Sequence, residues 1–448
     1  MPNLNSIVQI TVNDTPRGIT QRGFGTPMIL GKHTAWAALS RTFSGVSLLT
    51  DLVAAGILPG TPIYRAANAL AAQTNKPQYV KIGKLGTSFN QTFTLTIAPG
   101  SVYDGKSYAF SVEAPNGGAV TDIAYTISDA TPTEDEVATA IAALIGAITD
   151  ITATATLHVI SCVADDPDAQ WYVHDLSPDD IIYEDTTIDS ALAADYALIK
   201  LVDNDFYGVL LADCQSNARM TALAAVTETE EKILGYTTHD ALCGDPTEDT
   251  DVMFELNAAS YDRTFGIYSG NQGAHASGAL MGFMLPQTPG KYTAASRSLS
   301  GITSDTNLQP AFTLAIETKK GNTYTTVQGI PIVWPGCMSS GEWLDIIIGR
   351  DHFVQRCRER IFTLLTSVPK VPYTNAGIAM VVAQLYAQAT ESTAYGFLDP
   401  ERPAVIVYPD AASVSAANKI NRILPDISVT VYIAGAVHTV ALTVTLAL

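Results

Sequence analysis

Positive charge is scarce in this chain of 448 residues: 25 lysines and arginines stand against 44 aspartates and glutamates, a formal net charge of -19. A nucleic-acid backbone is gripped by a cationic stripe that releases counterions, so direct binding to DNA or RNA is not expected. Cysteine is sparse as well. Cys162, Cys214, Cys243, Cys337 and Cys357 are odd in number, scattered and without CxxC spacing, which argues against a disulfide framework and a zinc ribbon. The opening residues MPNLNSIVQITVNDTPRG hold no cationic stretch followed by an apolar core, so no secretory signal is expected and folding in a reducing cytoplasm is. The most apolar stretch, Tyr432 to Leu448, is broken by His438, Thr439, Thr443 and Thr445 and falls short of the ~20 residues of a spanning helix. No membrane insertion follows. Charged residues make up only 15% of the chain, against ~25% in ordinary soluble domains, and such a weakly hydrated surface suits protein contacts.

Apolar residues are plentiful at 47%, enough for two or three packed domains. The first residues alternate, with Leu4, Val8, Ile10 and Val12 on one side, and the last do so again through Ile427, Val429, Val431, Val440, Leu442, Val444, Leu446 and Leu448. Both ends therefore read as period-two strands, an N-terminal arm over 1–18 and a C-terminal arm over 425–448. Between them, short apolar runs alternate with helical patterns over 19–84 and 188–310, which predicts a discontinuous α/β core with a largely parallel sheet. Its candidate strands include Tyr207 to Ala212, Lys232 to Thr237 and Arg263 to Tyr268. Residues 85–187 read as an inserted β-rich domain with one helix, begun by Thr133 with carboxylates in the first turn. Thr152 to Val163 is read as one strand there. Over 311–424 an α+β domain is expected, with Phe312 to Thr318 and Thr323 to Gln328 as a hairpin about Lys319-Lys320-Gly321-Asn322, then long helices over Gly341 to Thr366 and Asn375 to Ala389.

Motifs that carry chemistry do not assemble. Gly23-Phe24-Gly25 and the glycines between Gly266 and Gly278 lack the setting of a phosphate loop. Asp203-Asn204-Asp205-Phe206-Tyr207-Gly208 opens like a calcium loop, but its twelfth position is Cys214 where a glutamate belongs. No HExxH or GxSxG is present, and no metal or cofactor is expected. The best place for an enzyme site would be Asp213 and Cys214, just past a core strand.

Three stretches together resemble contractile-tail sheath proteins, a divergent myophage branch in particular, over nearly the whole chain: the helix Glu134 to Ile148 followed by the strand Ile151 to Val163; Ser340-Gly341-Glu342-Trp343-Leu344-Asp345 leading into Gly349-Arg350-Asp351-His352-Phe353; and the two strand-forming ends. More familiar sheaths carry arginines where this chain reads Ile346-Ile347-Ile348. The resemblance implies a fold of mixed α/β and α+β character, with a layered α/β sheath core, an inserted β-rich domain and terminal β-strand arms. It implies a helical homo-oligomer on a tail tube, met by baseplate and tail terminator proteins, assembled in the host cytoplasm and located in the virion tail. Terminal strands with open edges are pairing templates, so donation of the arms to neighbours is expected. Pairing of the two ends within one chain is the alternative. Tube contact is expected at Arg350, Arg356, Arg358 and Arg360, the densest cationic cluster, where Arg356 and Arg360 share a helix face; Asp351 and Glu359 are the carboxylates able to neutralise them internally. Another tail component and an α/β enzyme using Asp213 and Cys214 remain the other readings.

Overall fold

The computed structural model describes residues 23–177, 179–306 and 308–442. The arm positions Leu4, Val8, Ile10, Val12, Val444 and Leu446 lie outside these described residues. The chain divides into two compact units. The larger comprises Gly23–His352, Tyr395–Phe397 and the residues from Ile433 on, and the smaller contains Phe353–Ala394 and Leu398–Tyr432.

An eight-stranded sheet organises the larger unit, in the order Ile330–Trp334, Asn322–Val327, Thr264–Tyr268, Ile233–Thr238, Gly208–Leu211, Pro27–Lys32, Tyr79–Leu85, Ser40–Ser44. The six inner strands run parallel and both outermost strands antiparallel. Inner strands such as Gly208–Leu211 and Thr264–Tyr268 are buried throughout, as expected where helices cover both faces. Alternation sorts their side chains: Met28, Leu30, Val209 and Leu211 enter one core with Leu192, Tyr196 and Ile199, while Ile29 and Leu210 enter the other with Leu48, Leu52, Ile63 and Leu70. Full burial of each such side chain contributes about 1.5–3 kcal/mol. The helices start on side-chain caps: Thr61, Ser216 and Asp251 each accept a first-turn backbone N–H, an interaction of about 1 kcal/mol. Helix Ala276–Met284 lies so close to Pro62–Ala71 that a Cβ on Gly282 would stand 2.4 Å from the Leu70 carbonyl oxygen. Only glycine fits there.

Between Tyr79–Leu85 and the helix Leu192–Val202 the chain builds a module of two small sheets, one of four strands and one of three, around helix Glu134–Ile145. Thr133 and Glu136 close a reciprocal capping box on that helix, and Val137, Ile141 and Ile145 pack on Phe93, Leu95, Ile160 and Trp171. The stretch read as one strand from Thr152 to Val163 is a hairpin, Ile151–Thr156 and Val159–Ala164. The two-residue turn inverts the alternation, from Ile151, Ala153 and Ala155 inward to Ile160, Cys162 and Ala164 inward, a change of parity that reading one continuous strand passes over. Leu157 at the tip has φ 55°.

A second correction concerns the hairpin expected about Lys319-Lys320-Gly321-Asn322. Pro310–Thr318 is a helix with proline in its first turn and Ala315 and Ile316 buried. The hairpin comes next, Asn322–Val327 with Ile330–Trp334, turning at Gln328 and Gly329, both at positive φ; positive φ at both central residues is the twist a two-residue hairpin needs.

In the smaller unit, helix Asn375–Ala394 and the segment of Leu344–Ser367 that lies there pack through Ile378, Val382, Leu385, Cys357 and Ile361. A two-stranded ladder pairs Val405–Val407 with Ser428–Thr430, placing Val429 opposite Ile406. Among the described residues, the period-two pattern of the chain end is thus a ladder strand only at Ser428–Thr430. Val431 is half-buried beyond it, and no described residue after Thr430 belongs to a strand longer than a single bridge.

Candidate functional site

Strand order reverses between Pro27–Lys32 and Gly208–Leu211, and beyond their carboxyl ends an open α/β sheet usually holds a ligand. Here an open cavity of about 1110 Å³ is lined among others by Lys32, His33, Ile63, Asp168, Trp171 and Asp213, and the polar groups at its edge are engaged with one another. Asp213 accepts the Lys32 backbone N–H at 3.0 Å and an Arg219 guanidinium N–H at 2.9 Å. Arg219 is fully buried, reaches Asp189 at 3.3 Å, donates to the Cys214 carbonyl oxygen at 2.6 Å and lies 4.2 Å over the Phe89 ring. Burial holds the Cys214 thiol well above its ordinary value, which leaves it protonated and a poor nucleophile. Asp213 and Cys214, the residues of the enzyme reading, are therefore structural partners of a buried arginine. Arg219 itself escaped the sequence reading, although it is the lone cation between Lys200 and Lys232.

The inserted module closes over the same edge. Arg65 pairs with Glu113 of the module and lies 4.3 Å over Tyr172, and His174 Nε2 sits 2.7 Å from Glu113. The Gln272 side-chain carbonyl accepts the Val173 N–H at 2.8 Å. One of the cavities at the seam, of about 40 Å³, is lined among others by Tyr183, Gln215, His239, Asp240 and His275. Burial pushes the Asp240 carboxyl up to about 7 and lowers His239 to about 4 and His275 to about 3. Near neutrality both imidazoles are uncharged. The Asp240 Oδ2 and His275 Nε2 atoms have no hydrogen-bond partner. Among the described residues no cluster of three or more histidine, cysteine or carboxylate side chains is arranged to hold a metal, and no helix is long and apolar enough to cross a membrane.

The four arginines do not share one environment. Arg356 is half-buried and pairs with Glu359; Arg360 pairs with Glu391 and donates to the Gln388 side-chain oxygen at 2.8 Å. Arg350 stands 3.7 Å from Asp351, a carboxylate already held by both guanidinium nitrogens of Arg263 at 2.6 and 3.1 Å. Arg350 and Arg358 are exposed. Along the helix, Val354, Arg358, Phe362 and Leu365 recur at spacings of three and four, all exposed. This mixed stripe lay in the sequence as a 3.6-residue period, but the arginine count drew attention away from it.

At the chain end, His438 Nε2 lies 2.9 Å from the Thr293 hydroxyl and its ring meets Trp343 edge-on at 4.3 Å. Val437, Val440 and Leu442 around it point to solvent. The segment is thus pinned at one side chain while its apolar residues remain uncovered. In the smaller unit, the ladder strand Val405–Val407 exposes Val405 and Val407, and among the described residues no third strand joins that ladder.

No protein-family model matches the sequence, and no curated protein does. Solved structures do. The helical sheath of the anti-feeding prophage in its contracted state matches with a TM-score of 0.54 at 11% identity, covering 98% of each chain. The fold is that of a contractile-sheath subunit. A second sheath, from an extracellular contractile injection system in its contracted state, agrees with a TM-score of 0.53 at 8% identity over 96% of this chain and 93% of its own. A sheath tail protein from Desulfitobacterium hafniense matches at 0.46 and 10% identity over 89% and 93%. The sheath fold, inferred at first from two internal stretches and the pattern of the ends, is found across almost the entire chain.

Proposed function

We propose that this protein is the structural subunit of a contractile tail sheath: copies polymerise helically around a tail tube, and rigid-body rearrangement shortens the polymer and drives the tube through a host envelope. The observation that carries this reading is the match in fold over 98% of both chains to a helical sheath. The chemistry agrees with it. At the crevice where an α/β enzyme would bind its substrate, Asp213 is paired with the buried Arg219 and burial keeps the Cys214 thiol protonated; in this reading the chain acts through its interfaces, without catalysis or cofactor.

Polymerisation uses the ends. A two-stranded ladder is marginal by itself, and the exposed Val405–Val407 edge offers unpaired backbone groups to an incoming strand. The residues around Val440, Leu442, Val444 and Leu446 supply that strand from a neighbouring copy, and Leu4, Val8, Ile10 and Val12 serve as the second donor. Val429 and Val431 belong to the receiving side. Each copy lends and receives, so contacts are head-to-tail and the lattice stays open. Bistability then lies in interfaces that repack between two arrangements. In the smaller unit the tube is gripped through Arg358 with the stripe Val354, Phe362 and Leu365, and in the larger through Arg350, while Arg356 pairs along its own helix with Glu359 and Arg360 ties that helix to Glu391. Baseplate and tail terminator proteins cap the polymer in the virion tail.

Negative-stain microscopy of the purified chain tests the reading. Tubes or stacked rings of one repeating subunit are expected; a discrete small oligomer under all assembly conditions would contradict it.

A further inference from the structure

Helix Leu192–Val202 is apolar on both sides. Leu192, Tyr196 and Ile199 face the sheet, whereas Leu198, Leu201 and Val202 are 50%, 83% and 66% exposed, with Ala194 and Ala197 exposed beside them. Its two charged residues are engaged within the chain: Asp195 accepts the Gly86 and Thr87 N–H groups, and Lys200 pairs with Glu230. A helix apolar all round belongs in an interior. The uncovered part amounts to roughly 400 Å², short of the ~800 Å² per partner that holds a free-standing pair together, so it fits one contact among several in a lattice.

A matching patch lies on the opposite face of the same sheet. Helix Leu48–Ala54 packs inward through Leu48 and Leu52, in the core that Ile29 enters, while Leu192 and Ile199 share the other core with Met28 and Leu30. Val53 on its outer side and Val46 in the turn that precedes it are 41% and 83% exposed, with Thr50 between them. Its one charged residue, Asp51, accepts a hydrogen bond from the Ser47 hydroxyl. Two uncharged apolar patches on opposite faces of one body cannot meet each other within a chain, but they can meet between copies.

We propose that the Leu198, Leu201 and Val202 face of one copy docks on the Val46 and Val53 face of the next, a heterologous contact repeated from subunit to subunit. This contact is separate from strand exchange and rests on the sheath reading for its partner, a second copy of this chain. It gives each α/β core its neighbour directly, body against body, where the arms are only tethers.

The test is a charge swap in the full chain, read by sedimentation of assembled polymer, with circular dichroism as the check that each variant folds. Leu201→Glu and Val53→Lys, each alone, are expected to lower the pelleted fraction at least tenfold, and the double variant to recover most of it. Normal assembly by either single variant overturns the contact while leaving the sheath reading intact. Loss in the single variants without recovery in the double overturns the pairing of these two faces. Failure of the unsubstituted chain to polymerise at all would remove the sheath reading, and this contact with it.

Discussion

Replacing Asp240 by asparagine should change how stability depends on pH. The Asp240 carboxyl, pushed up by burial and then by Glu184 and Asp251, titrates near 7 in the folded protein against an ordinary 3.8. Below about pH 4 both folded and unfolded chains hold the proton, and Asp240 contributes no pH dependence. Between about 4 and 7 only the folded chain holds it, so stability falls as pH rises. Above 7 the whole loss is present, on the order of 4 kcal/mol for a displacement of this size. Asparagine keeps the Oδ1 atom that accepts the Leu242 N–H at 2.9 Å and cannot ionise. Its amide nitrogen would take the unpartnered Oδ2 position and cost about 1–3 kcal/mol there. At pH 5 the variant should therefore be equal to the parent or slightly weaker, and at pH 8 more stable by about 1–3 kcal/mol. All four tryptophans, Trp36, Trp171, Trp334 and Trp343, lie in the larger unit, so urea unfolding followed by tryptophan fluorescence reports on the unit that contains Asp240. Parallel midpoints for parent and variant from pH 5 to 8 would refute the reasoning.

Arg219→Met should destabilise the same unit by about 3–5 kcal/mol, because it leaves the Asp213 and Asp189 carboxylates buried without their cation; a loss below about 1 kcal/mol by the same urea assay would contradict this. Arg350→Gln with Arg358→Gln should lower co-sedimentation with purified tubes at least tenfold while circular dichroism shows the variant folded, and unchanged co-sedimentation would remove the tube contact. Arg356→Glu should instead lower the melting temperature, since it sets a like charge beside buried Glu359; an unchanged melting temperature would deny that pair a structural role.

Elements with a single strong period were legible from the residues. Short runs such as Gly208–Leu211, buried on both faces, announced the parallel sheet, and the Thr133 cap announced the helix Glu134–Ile145. What escaped was set by contacts far apart in sequence. The strand Ser40–Ser44 mixes exposed and buried residues at a sheet edge, so it carries no clean pattern. Val405–Val407 is three residues long and exists only because Ser428–Thr430 lies beside it. At the site, the exposed valines and leucines of the chain end could be named from alternation, but not the pin at His438, which depends on Thr293 and Trp343. The four arginines read as one cluster along the chain, and the tie of Arg360 to Glu391, thirty-one residues beyond it, was not visible there.

A cryo-electron microscopy reconstruction of the polymerised chain tests the central claim most directly, through the path taken by residues 439–448, beyond the His438 pin. The account predicts that this segment crosses to an adjacent subunit and hydrogen-bonds as a strand along the Val405–Val407 edge there. Density showing it folded onto its own subunit, with that edge bare or covered from within, would contradict the account.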